Sequence, residues 1–105
     1  MNRLSTHVLD TSSGKPASGV PVNLYQGDRQ ISAGVTDSDG RCQNLLAEGQ
    51  TLIPGGYRIV FHVTALFPDG LYPEVSVSFI VSAEAGHYHI PLLISPFGYT
   101  TYRGS

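Results

Sequence analysis

Histidines and one arginine are the residues of this sequence with the most to offer chemically. His7 lies in Leu4-Ser5-Thr6-His7-Val8-Leu9, and His87 and His89 flank Tyr88. Imidazole titrates near neutral pH, so each is a candidate general acid or base. On a strand, residues two apart share a face, which places His87 and His89 side by side. Such a pair could hold zinc if His7, His62 or a carboxylate supplied a third ligand. The plainer alternative is a solvated or hydrogen-bonded strand histidine, and no residue is assigned to a metal. Arg41 directly follows Asp37-Ser38-Asp39-Gly40. Its planar fork can hold two carbonyl oxygens at once, although a lone arginine beside a turn is often only solvated. Cys42 has no cysteine partner and reads as a small strand residue. There is no GxSxG elbow, glycine-rich phosphate loop or HExxH helix.

The elements that must position these groups are strands, because the dominant hydrophobic period is two. Residues 3–10 set Leu4, Thr6 and Val8 against Ser5, His7 and Leu9. Residues 20–26 set Val20, Val22 and Leu24 against Asn23 and Tyr25. A third strand is expected near 29–36 and a weaker fourth over 41–46. Tyr57–Val63, Glu74–Val81 and His87–Ile94 follow, and Tyr99–Arg103 forms the last. Between them, residues 11–16 read as a loop, and Asp37-Ser38-Asp39-Gly40 as a tight turn. Residues 64–73 carry two prolines and a glycine, leaving room for at most one short helical turn. About eight short strands at regular spacing predict an all-β, two-sheet antiparallel sandwich.

Composition supports a single domain over 1–105. A chain of 105 residues is too short for two cores, and 12 glycines with 7 prolines suit many turns. Charged residues are 13% and the net charge is −2. That leaves no basic field for nucleic acid. No apolar run is long enough to span a membrane. The N-terminus has no apolar leader, so a cytoplasmic location is expected, although a processed chain would read the same.

Three stretches go further than period and spacing. LSTHVLDTSSGKPASGVPVNLY, TDSDGR and HYHIPLLISPFGYTTYRGS, in this order, resemble the transthyretin-related family. The closing YRGS resembles its enzyme branch, whose members open the six-membered ring of 5-hydroxyisourate at an amide bond. The product is 2-oxo-4-hydroxy-4-carboxy-5-ureidoimidazoline, in urate degradation. The resemblance implies an eight-stranded sandwich, a homotetramer with active sites at the dimer–dimer interface, and no cofactor. It carries a catalytic set onto His7, Arg41, His89 and Ser105. Substrate contacts fall to His7, Arg41, Tyr102, Arg103 and Gly104. His87 stays outside the set. The 64–73 segment is shorter than the family's usual helix-bearing one.

The chemistry implied is consistent with these residue types. Opening a cyclic amide with water needs a base, a stabiliser for the developing oxyanion and an oriented heterocycle. Either His7 or His89 can be the base. Arg41 nearby would keep an imidazole neutral and available. Tyr102 can contact the heterocycle, and Ser105 can fix a water. The alternative is a transthyretin-like carrier of a small aromatic ligand in the tetramer channel. A carrier has no need of this titratable set, and a purely structural sandwich would leave the histidines unexplained.

Overall fold

The computed structural model describes residues 3–43, 45–46, 49–83 and 86–104. Among them, two sheets face each other across one core. The first contains β1 (Arg3–Asp10), β2 (Lys15–Pro16), β5 (Arg41–Cys42), β8 (His87–Ser95) and β9 (Gly98–Thr101). The second runs in the order β4 (Arg29–Val35), β3 (Pro21–Gln26), β6 (Gly55–Phe61), β7 (Val75–Val81).

Alternation decides which side chains enter the core. Leu4 and Val8 of β1 and Tyr88, Ile90, Leu92 and Ile94 of β8 point inward from the first sheet. Val22, Leu24, Tyr57, Ile59 and Phe61 meet them from the second. Thr6 is the polar member of the inward row. It is fully buried, and its hydroxyl donates to the Ile90 carbonyl at 2.5 Å, which removes the cost of an unmade hydrogen bond.

The two-sheet sandwich agrees with the period-two reading, with local departures. One ladder is parallel: β1 and β8 run together from Arg3↔His87 to Asp10↔Ile94. Parallel partners need a long connection, and here most of the chain lies between them. Alternation fixes faces but carries no strand direction, so this pairing was invisible to it. Lys15–Pro16, read as loop, pairs with Leu9 and Asp10. The Asp10 carboxylate accepts from the Ser12 amide at 2.9 Å and closes the turn between them.

The fourth strand stops at Cys42 instead of reaching 46. Leu45 is buried, and its carbonyl accepts from the Ser32 hydroxyl in place of a ladder partner. The strand expected over 57–63 is shifted to 55–61, and Val63 opens a three-residue 3₁₀ turn, Val63–Ala65. That turn is the single short helical turn for which the proline-broken 64–73 region left room.

Candidate active site

Opposed residues in a ladder put their side chains on the same face. Register therefore builds a site on the outer face of the first sheet. His7 lies opposite Arg41 on one side and Pro91 on the other. Ser5 lies opposite His89, and Arg3 opposite His87. After β9 the chain returns across this face, where Gly104 bridges His89. An open cleft of about 440 Å³ borders the group, lined by Arg3, Ser5, Arg41, Gln43 and His87 among others.

The Asp37–Gly40 turn places two of these groups at once. Its Asp37 carboxylate accepts from the Asp39 and Arg41 amides at 2.9 and 3.0 Å. Gly40 adopts φ +76°, and a Cβ there would come within 2.5 Å of the Val8 carbonyl oxygen. The position needs glycine both for its backbone angle and for its close approach to β1. Gly40 in turn accepts from the Val8 amide at 2.7 Å. The Asp39 carbonyl lies 2.8 Å from His7 Nε2. A carbonyl can only accept, so His7 carries its proton on Nε2 and presents Nδ1 as the lone-pair nitrogen. One turn thus fixes the backbone of Arg41 and the tautomer of His7.

His89 is held differently. Its Nδ1 lies 2.8 Å from the Ser5 hydroxyl, which also lies 2.8 Å from His87 Nε2. The Gly104 amide donates to the His89 carbonyl at 2.7 Å. A Cβ on residue 104 would sit 2.5 Å from His89 Cδ2, so the returning chain can touch the ring only as glycine. Partial burial pushes the His89 pKa below its ordinary value, and the charges of His87, Arg41 and His7 push it the same way. A neutral imidazole at pH 7 is the result, the state a base requires.

The other expected residues are distributed less uniformly. Arg103 is turned away from the His7–His89 face: its guanidinium lies over the Tyr88 ring at 4.2 Å, with Nη2 3.5 Å from the His87 carbonyl. This contact seats the returning chain. The cause is alternation, since a neighbour of Gly104 in an extended segment faces the opposite way. Tyr102 is exposed. Ser105 lies outside the described residues. Among the described residues, no cluster of three or more His, Cys, Asp or Glu is arranged to hold a metal ion. The site also includes Ser5, which the sequence reading passed over. Its only signal was its place two residues before His7, on the same strand face.

The family pattern described as HIUase/Transthyretin matches residues 4–104. The chain belongs to this family. A relative from Salmonella dublin named 5-hydroxyisourate hydrolase is 46% identical over 112 residues, covering 99% of this chain and 82% of its own. The solved structure of Klebsiella pneumoniae 5-hydroxyisourate hydrolase superposes with a TM-score of 0.89 at 35% identity, covering 100% of this chain and 94% of its own. Transthyretin from Sparus aurata superposes with a TM-score of 0.84 at 34% identity, covering 96% and 95%. The hydrolase and the transthyretin thus share the sandwich almost equally, and the sandwich alone does not separate a catalyst from a carrier. The side chains on its outer face must do that.

Proposed function

We propose that this protein hydrolyses 5-hydroxyisourate to 2-oxo-4-hydroxy-4-carboxy-5-ureidoimidazoline. The observation that carries the reading is the convergence of His7, Arg41 and His89 on one sheet face, with Gly104 against the His89 ring. The identity to hydrolases over nearly the whole chain supports it.

His89 is the general base in this reading. Its Nδ1 is engaged by Ser5, leaving Nε2 to take a proton from the attacking water. The water oxygen bonds to the ring carbonyl carbon, the carbon–nitrogen bond breaks, and the leaving nitrogen takes up the proton. Arg41 offers paired donors to the developing oxyanion. His7 Nδ1 accepts from a substrate N–H, its tautomer set by Asp39. Tyr102 borders the heterocycle, Ser105 orients the water, and Arg103 with Gly104 seats this tail. The active assembly is a homotetramer, with this face lining the interface between dimers. The exposed apolar side chains of Ile80, Phe97 and Tyr99 supply contact area between chains.

The deciding experiment generates 5-hydroxyisourate from urate with a urate oxidase and follows its ultraviolet decay. Decay well above the spontaneous rate is expected; decay at the spontaneous rate overturns the reading. Light scattering should give four times the chain mass.

A further inference from the structure

One hydroxyl stands between two imidazoles. Ser5 Oγ lies 2.8 Å from His87 Nε2 and 2.8 Å from His89 Nδ1. A serine hydroxyl has a single proton, so it can donate to only one of the two rings, and where it donates to one it can only accept from the other. The two rings therefore cannot both accept from Ser5, and at least one of them must present an N–H to it. If Ser5 donates to His89, then His89 holds its proton on Nε2 and has no lone pair for water. If His89 Nδ1–H donates to Ser5, the Ser5 proton is free to go to His87 Nε2, and His89 Nε2 is free as a base.

Resting on the hydrolase reading, we propose that Ser5 and His87 are positioning residues, which together hold His89 in the tautomer that leaves Nε2 unprotonated. His87 supplies the acceptor at the outer end of the chain, and Ser5 transmits that choice to His89. The same chain gives the captured proton a second resting place. As water loses its proton to His89 Nε2, the Nδ1–H bond can break while a Ser5 O–H forms. The original Ser5 O–H then breaks as His87 Nε2–H forms, and the positive charge ends on the more exposed ring. Reversal returns it for the leaving nitrogen, and no other reactant is needed.

Solvent exposure is what favours this direction. His89 is partly buried and faces the charges of His7, Arg41 and His87, whereas His87 is exposed. Arg3, opposite His87 in the ladder, and Arg103 at the His87 carbonyl oppose a lasting charge there, so the relayed proton rests on His87 only in passing. His87 is thus not the idle neighbour that its place outside the family set implies.

The test uses the full chain, with imidazole ¹⁵N shifts read by NMR alongside kinetics. In the unmodified protein, His89 should show protonated Nδ1 and bare Nε2 above its pKa. Ser5→Ala and His87→Leu should each mix the His89 tautomers and lower kcat by roughly tenfold, about one hydrogen bond's worth, with KM little changed. Ser5→Thr and His87→Gln, which restore the hydroxyl and the acceptor, should recover most of both readouts. Unchanged His89 shifts in both Ser5→Ala and His87→Leu would overturn the coupling, as would failure of the restoring variants. The tautomer readout does not depend on the substrate. If the protein left 5-hydroxyisourate untouched while the shifts still moved, the hydrolase reading would fall and the coupling would stand.

Discussion

The two sheets use the same alternation to build one core, yet their outer faces differ in kind. On the second sheet, Arg58 donates to Ser76 at 3.1 Å and lies over the Tyr25 ring, and Asn23 reaches Gln30. These are pairs within the sheet, solvated and self-sufficient, beside an Ile80 that is 81% exposed. On the first sheet, three histidines share one face with Arg3 and Arg41, and each ring is held by a neighbour at a defined nitrogen. Polar residues on an outward face are therefore no sign of a site. Titratable rings each held at a defined nitrogen, and a backbone brought close enough to demand glycine, are the difference.

The sharpest way to break this contrast is His89→Asn. It keeps a hydrogen-bonding side chain but removes the titratable ring, so turnover should fall by roughly 10²-fold or more. Ser78→Ala on the second sheet should leave turnover at the parent value. Comparable losses in the two variants, measured in the ultraviolet assay with circular dichroism unchanged, would erase the distinction between the faces. Arg41→Lys keeps the charge but loses the fork, and a drop approaching that of His89→Asn is expected.

Gly104→Ala tests the close approach. The added methyl meets the His89 ring, so either the tail or the imidazole must shift. A loss of kcat on the order of tenfold is expected, with a thermal midpoint close to the parent's, because the strain falls on one backbone bridge. A fully active Gly104→Ala would mean that the tail does not work through His89.

The pH profile offers a smaller effect of definite sign. Burial and neighbouring positive charge lower the His89 pKa, so the acid limb of kcat/KM should lie below the ordinary histidine value of about 6.5. Arg41→Gln removes one of those charges. Its residual activity should show an acid limb moved to higher pH, and a shift to lower pH would contradict the charge argument. The smallest effect belongs to the second sheet: Arg58→Ala loses an exposed stacking and hydrogen-bonding contact, worth about 0.5–1 kcal/mol in denaturant titrations, with turnover unchanged.

Much of this contrast is legible in the sequence. Period two places Ser5 and His7 on one face and His87 and His89 on another, and the Asp37–Gly40 turn marks where Arg41 begins a strand. Period two does not say that β1 lies beside β8, because pairing partners are chosen by the whole core and not by either segment. Without that register, Ser5 is an ordinary strand serine, and nothing joins His87 to His89 beyond their spacing. Arg103 shows what grouping by tetrapeptide leaves open. The tetrapeptide resemblance groups it with its neighbours, whereas extended backbone points alternate residues to opposite sides. Only the bridge from Gly104 to His89 decides which side belongs to which residue.

The parallel ladder also bears on when the site comes into being. The second sheet is assembled from antiparallel neighbours drawn from residues 21–81, so much of it can pair while distant parts of the chain are still unordered. Ser5 and His89, in contrast, are separated by 84 positions. Contacts between remote positions bear a larger loop-closure entropy and form late, in β-rich domains on the order of milliseconds to seconds. Catalytic competence should thus be the last property a refolding or newly synthesised chain acquires. A partly folded population would have the second sheet paired while lacking both the first sheet's half of the core and the seam on which the histidines meet.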